Sequence, residues 1–225
     1  MKKLIGFLLL LLFCSTLNAQ KYEFDYLLQY SLEHGNSTYF VNSKNPDFHL
    51  QMKGPGDPKA ILRDKKNGWV HVYSFVEDAA GNSATFTYEA SIKTDYDSKP
   101  MSAFEIKEIG KDRYLIASAK PKRLQAKNLV IDIKLKTFSE NVVNILTDSD
   151  HDSVFYHLIS NALPPGSKYI IEESKVKSFN GNVEVKKLMY QEKIEPKLEI
   201  LPQQLKLFKD WKSFNAMMEN QPLSK

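Results

Sequence analysis

Tyr22-Glu23-Phe24-Asp25-Tyr26-Leu27-Leu28-Gln29-Tyr30 places an aromatic residue or leucine at every second position, with Glu23, Asp25 and Gln29 between them. Side chains on an extended chain alternate faces, so Tyr22, Phe24, Tyr26, Leu28 and Tyr30 line one dry face of a strand. Asp47 to Lys53 repeats the rule, with Phe48, Leu50 and Met52 on one face and Asp47, His49, Gln51 and Lys53 on the other. This period of two marks an antiparallel sheet buried on one side. From Lys21 to Val76 the chain therefore reads as an antiparallel meander, turning at Gly35-Asn36, Asn45-Pro46, Gly54 to Pro58 and Asn67-Gly68. Asn67-Gly68 predicts a type I′ hairpin, because both residues tolerate positive φ.

The strand that follows, Trp69 to Val76, has a different pattern. Trp69, His71, Tyr73 and Phe75 share one face, and Val70, Val72, Ser74 and Val76 the other. Both faces are expected to be buried, which makes the strand central or the wall of a cavity. Ser83 to Ile92 continues the meander with Ala84, Phe86, Tyr88 and Ala90 on one face. Lys93 to Pro100 is read as a long hairpin loop, because the strands before it need apolar partners from those after it. Those are Ala103 to Ile109, Arg113 to Ala119 and Asn128 to Lys136.

In Ser153 to Leu163 the apolar residues Val154, Phe155, Leu158, Ile159, Ala162 and Leu163 adopt helical spacing, and Pro164-Pro165-Gly166 ends the run. Two more strands, Lys168 to Ser178 and Asn182 to Lys193, flank Asn180-Gly181. Leu207, Trp211, Phe214 and Met218 stand four, three and four residues apart. They predict an amphipathic helix from Gln203 to Met218 that docks on the sheet. The expected fold is mainly β: one curved antiparallel sheet, a meander or half-barrel of about eleven strands, with one short internal helix and one C-terminal helix. Residues 20–225 are expected to form a single β-rich domain.

Met1 to Ala19 has two lysines, an apolar run from Leu4 to Phe13, and then Ser15, Thr16, Leu17, Asn18 and Ala19 ahead of Gln20. That is the pattern of a secretory signal peptide cut after Ala19, which implies a periplasmic or secreted protein. The apolar run is shorter than the roughly 20 residues of a membrane-spanning helix, so no transmembrane segment is expected in the mature chain. The only cysteine, Cys14, lies in this leader. Its loss removes disulfides, thiol nucleophiles and thiolate metal sites from consideration. The chain's charge of +4 loses two with Lys2 and Lys3, leaving about +2. Cations and acids are interspersed, which argues against a nucleic-acid partner.

Catalytic signals are absent from the sequence. Asp148, Asp150 and Asp152 open like a calcium loop, but Ser153 stands where glycine is needed and Ile159 where a bidentate glutamate is needed. No metal or cofactor is expected. No H-E-x-x-H, G-x-S-x-G or glycine-rich phosphate loop occurs. His71, in its aromatic row, is the one histidine whose burial could shift its titration, and a core imidazole bonded to a neighbour is the favoured reading. A hydrolase would need His71 beside two carboxylates in a cleft.

The lysine-led leader ending Asn18-Ala19-Gln20, then Phe24-Asp25-Tyr26, Asp64, the Asn67-Gly68 turn and the aromatic strand resemble exported proteins of Gram-negative bacteria with a LolA-like curved sheet. The resemblance implies a sheet wrapped around helices that holds acyl chains, as in carriers of lipoproteins and lipids. The function expected is therefore non-enzymatic binding of an apolar ligand, an acyl chain or lipid, in the bacterial envelope. Phe24, Tyr26, Phe48, Leu50, Trp69, Tyr73, Phe75, Phe86 and Tyr88 are the candidate lining residues, and Leu207, Trp211, Phe214 and Met218 the candidate lid. The alternative is a solid-core scaffold that binds an envelope protein through its loops.

Overall fold

The computed structural model describes residues 20–33, 35–52, 59–77, 84–94, 104–118, 129–143, 152–177, 181–195, 197–200 and 207–208. Within them the chain forms β1 (Gln20–Glu23), β2 (Tyr26–Leu32), β3 (Gly35–Val41), β4 (Phe48–Met52), β5 (Lys59–Asp64), β6 (Trp69–Glu77) and β7 (Ala84–Lys93). β8 (Phe104–Gly110), β9 (Arg113–Ser118), β10 (Val130–Thr137), α1 (Asp152–Ala162), β11 (Tyr169–Lys177), β12 (Val183–Lys193), β13 (Lys197–Ile200) and β14 (Leu207–Phe208) follow. The large sheet runs β14-β7-β6-β5-β4-β3-β2-β12-β11-β10-β9-β8, and β1 pairs with β13 in a separate ribbon. Its eleven antiparallel strands form one curved sheet that does not close. The mainly β, single-sheet expectation holds.

Two meanders, β2 to β7 and β8 to β12, are joined edge to edge by antiparallel pairing of β2 with β12, from Ser31 opposite Lys187 to Tyr26 opposite Lys193. β7 and β8 therefore lie towards opposite ends of the sheet, and the stretch read as a hairpin loop after β7 connects strands that do not pair. The physical reason is that β7 already has β6 on one edge and β14 on the other, while β2 had a free edge for β12.

Curvature follows from ring contacts. Phe40 on β3 and Phe86 on β7 are four strands apart, about 19 Å in a flat sheet. Their ring centroids are nevertheless 6.2 Å apart, edge to face. The strands β3 to β7 must curl towards the face that carries these two rings. That concave face holds Phe48, Leu50, Met52, Ala60, Leu62 and Tyr73, all buried, and Tyr22 and Phe24 pack into the same cluster.

The other half of the molecule buries the opposite face. Tyr26, Leu28, Tyr30, Tyr39 and Val41 join Ile116, Ile131, Ile133 and the α1 residues Val154, Phe155 and Ile159 in a second core. Phe155 meets Phe104 of β8 at 5.0 Å, edge to face. The helix spans Asp152–Ala162, as its periodicity predicts to within one residue. β3 serves both cores, because Tyr39 and Val41 point into one and Phe40 packs against the other.

The stretch Tyr22 to Tyr30 is not one strand. It breaks at Phe24-Asp25. The Asp25 carboxylate accepts from the backbone N–H of Ser43 at 2.8 Å and from its hydroxyl at 2.5 Å. Asp25 also donates its N–H to Val41 and accepts from Ile194. This local capture turns the chain, so Tyr22 and Phe24 enter one core and Tyr26, Leu28 and Tyr30 the other.

Leu207 and Phe208 form a short parallel strand on the edge of β7, opposite Ser91 and Ile92. The helix expected over this stretch is not formed at these two residues. An open strand edge offers backbone partners that compete with the helical hydrogen bonds. Trp211, Phe214 and Met218 lie outside the described residues, as do Met1 to Ala19 and the aspartates Asp148 and Asp150. No helix among the described residues is long and apolar enough to cross a membrane.

Candidate functional site in the concave face

The concave face of β3 to β7 brings most of the expected lining residues together. Phe24, Phe48, Leu50 and Tyr73 are buried in one cluster, with Phe75, Phe86 and Tyr88 half-buried against it. Phe24 meets Phe48 at 5.7 Å and Phe40 at 6.1 Å, both edge to face. Tyr73 meets Tyr88 at 5.8 Å and Phe86 at 6.5 Å. Tyr26 is the exception. It belongs to the other core, where its ring packs on Phe138 and its hydroxyl lies 3.1 Å from Ser139 Oγ. Trp69 sits at the rim, stacked 6.1 Å from the His71 ring, with the Lys93 ammonium 4.5 Å from its centroid.

At the Trp69 end of the concavity lies a buried polar relay. Asp64 ends β5, and its carboxylate accepts from the Asn67 backbone and side chain at 2.9 and 2.8 Å. The Tyr22 hydroxyl donates to the same carboxylate at 2.9 Å and lies 3.1 Å from His71 Nε2. His71 Nδ1 is 2.5 Å from Ser91 Oγ, and the Tyr88 hydroxyl is 2.7 Å from that oxygen.

One proton arrangement fits all five groups. A carboxylate only accepts, so Tyr22 spends its single proton on Asp64. The Tyr22 oxygen must then accept from His71, which fixes the imidazole as the Nε2–H tautomer. Neutral Nδ1 accepts from Ser91, and Ser91 accepts from Tyr88. Burial lowers the His71 pKa to about 4 against the opposing pull of Asp64, consistent with this neutral ring. Burial first, then Asp64, raises the Tyr22 pKa far above its usual range, so its hydroxyl keeps its proton.

The relay has the residue types of a nucleophile and base, but not their setting. His71 and Ser91 are wholly buried. The carboxylate reaches His71 only through Tyr22. The pair of carboxylates in a cleft that hydrolysis would need is not found around His71 among the described residues. No group of three or more histidine, cysteine or acidic side chains placed to hold a metal occurs among them either.

A second polar cluster lies on the opposite face. Lys186, buried, donates to the Tyr39 hydroxyl at 3.1 Å. Gln51 donates to Ser37 at 3.1 Å and accepts from Arg63 at 2.9 Å. Lys59 pairs with Glu89 at 2.6 Å, both largely buried.

Sequence reasoning missed Tyr22, Asp64, Ser91 and Phe40 as members of the site. For Asp64 a signal existed: an aspartate three residues before Asn67 is the pattern of a side-chain-capped turn. Ser91 was hidden by a bulge. Tyr73 opposes Tyr88, yet Val72 opposes Ala90, so Glu89 is the extra residue. Beyond it the faces exchange, Ser91 joins Tyr88, and Ala90 and Ile92 join Val70 and Val72 in a third buried group on the convex side. Alternation alone places Ala90 with Tyr88, and the bulge overturns that. Two-sided burial of β6 holds from Val70 to Tyr73 and fails at Val76, which is 73% exposed.

No protein-family model matches this chain, and no curated protein is similar to it.

Proposed function

We propose that this chain is an exported, non-enzymatic protein of the bacterial envelope that binds an apolar ligand, an acyl chain or lipid, in the concave face of β3 to β7. The observation that carries the reading is the row Phe40, Phe86 and Phe75. These rings touch one another at 6.2 and 6.0 Å and stay only half-buried, on the concave side of a sheet that does not close. An acyl chain laid on them gains roughly 25 cal/mol for each Å² of apolar surface removed from water. Export rests on the leader Met1 to Ala19, and N-terminal sequencing of protein from the envelope should then begin at Gln20.

A second reading has its own observation. Tyr22 and Phe24 occupy part of the concavity and pack edge to face on Phe48 at 5.2 and 5.7 Å, as in a filled core. That favours a scaffold that binds another protein through its loops. Native mass spectrometry of the protein from its own envelope, together with titration by a fluorescent fatty acid, separates the two. A bound lipid and saturable probe binding support the carrier reading. Absence of both removes it and leaves the scaffold.

A further inference from the structure

The hydroxyl of Tyr73 has no hydrogen-bond partner, although Tyr73 is only 3% exposed and the oxygen itself is buried. Three other buried tyrosines, Tyr22, Tyr30 and Tyr39, are bonded. Tyr30 donates to Ile171 at 2.9 Å, Tyr39 accepts from Lys186, and Tyr22 donates to Asp64. Tyr73 sits on the concave face between the relay and the half-buried rings, two residues from His71 and two from Phe75. Its neighbours across the strands are Ala60, which has no polar side-chain atom, and Tyr88, whose hydroxyl is engaged with Ser91. The ring is fixed edge to face against Phe86 and Tyr88.

Folding leaves few buried donors without a partner, and an exception calls for an explanation. From the placement of this one we infer that the Tyr73 hydroxyl is the polar anchor of the ligand site, donating a hydrogen bond to an acceptor at the head of an acyl chain, a carboxylate or an ester carbonyl. The inference rests on the apolar-ligand reading above and sharpens it from any apolar molecule to an amphiphile with an acceptor group. The chain lies along Phe86 and Phe75, and the acceptor reaches inward to Tyr73. Burial and the neighbouring Tyr88 raise the Tyr73 pKa far above its usual range, so the group stays a donor at all ordinary pH values. A pure hydrocarbon would use the rings and leave the hydroxyl unbonded.

The test compares two probes on the full chain and on Tyr73→Phe. cis-Parinaric acid carries a carboxylate, and diphenylhexatriene carries no acceptor. The expected result is that both bind the unaltered protein, and that Tyr73→Phe weakens cis-parinaric acid by about tenfold or more while leaving diphenylhexatriene within about twofold. Thermal unfolding of Tyr73→Phe should occur at the same temperature or higher, because the hydroxyl removed makes no bond in the fold. Unchanged cis-parinaric acid affinity, or equal loss for both probes, overturns the anchor while the apolar site stands. A lowered unfolding temperature also overturns it, by showing that the hydroxyl is bonded within the protein. If neither probe binds the unaltered chain, the apolar-ligand reading fails, and the anchor with it.

Discussion

His71 shows how one side chain ties stability to pH. Unfolded, it takes up its proton near the usual 6.5, and in the fold only near pH 4. Between those values the unfolded chain holds more protons, so stability is full above pH 6.5 and falls as pH drops towards 4. The loss is on the order of 3 kcal/mol when the whole interval is crossed. Urea unfolding at pH 7.5 and pH 4.5 should show it, and His71→Gln should remove this part of the pH dependence. An unaltered profile in that variant assigns the effect elsewhere. Tyr30 and Tyr73 make a contrast at the same scale. Tyr30→Phe strips the Ile171 carbonyl of its donor and should destabilise by about 1–3 kcal/mol, whereas Tyr73→Phe should be neutral or stabilising. The identity of these aromatic residues is plain in the sequence. Which hydroxyl finds a partner depends on residues 42 to 141 positions away, and no local pattern encodes that.

The elements were legible where alternation or helical spacing was strong, and their irregularities were not. α1 and the individual strands of both meanders fall where the periodicity puts them, because burying one apolar face requires that spacing, but the division into two meanders is not contained in it. The turn at Asn67-Gly68 stands where the sequence places it but differs in kind. Gly68 has φ of 63°, but Asn67 is not in the positive-φ region, so this is not a type I′ turn. Instead a four-residue loop from Lys65 to Gly68 is held by Asp64, and the Gly68 carbonyl accepts from Thr94 at 2.9 Å. A Cβ on Gly68 would lie 2.6 Å from the Thr94 carbonyl oxygen. Gly68→Ala combines that clash with an unfavourable backbone conformation and should cost about 1–3 kcal/mol, read as a lower urea midpoint with unchanged slope. A variant as stable as the parent would show that the turn can relax. Bulges escape the sequence for a related reason. The extra residue Glu89 breaks no propensity rule, and only the pairing of β6 with β7 reveals it.

At the scale of the molecule, two cores on opposite faces share β3, and the pairing of β2 with β12 joins the two meanders into one sheet. Neither half can lose its packing without disturbing the strand it shares. Unfolding should therefore be a single transition, with far-ultraviolet circular dichroism and tryptophan fluorescence coinciding in urea. Leu50→Ala in one core and Ile133→Ala in the other should each shift that one midpoint by an amount corresponding to about 2–5 kcal/mol. Separate transitions for the two probes would mean that the meanders unfold independently. The concave site belongs to this scale as well, since Phe40 and Phe86 meet only because five strands curl.

Residue order along the chain specifies the class of structure: a strand-rich chain with alternating faces, one internal helix, and aromatic residues on one face of β4, β6 and β7. Periodicity carries that information because each residue's face is set by its own position along the strand. Three features arise only from contacts across the fold: Asp25 cuts the first aromatic row in two, β12 rather than β8 pairs with β2, and a bulge turns Ser91 towards His71. Each depends on hydrogen bonds between residues distant in the chain. That the Tyr73 hydroxyl lacks a partner belongs to that level too, because a missing partner becomes visible only when every neighbour is in place.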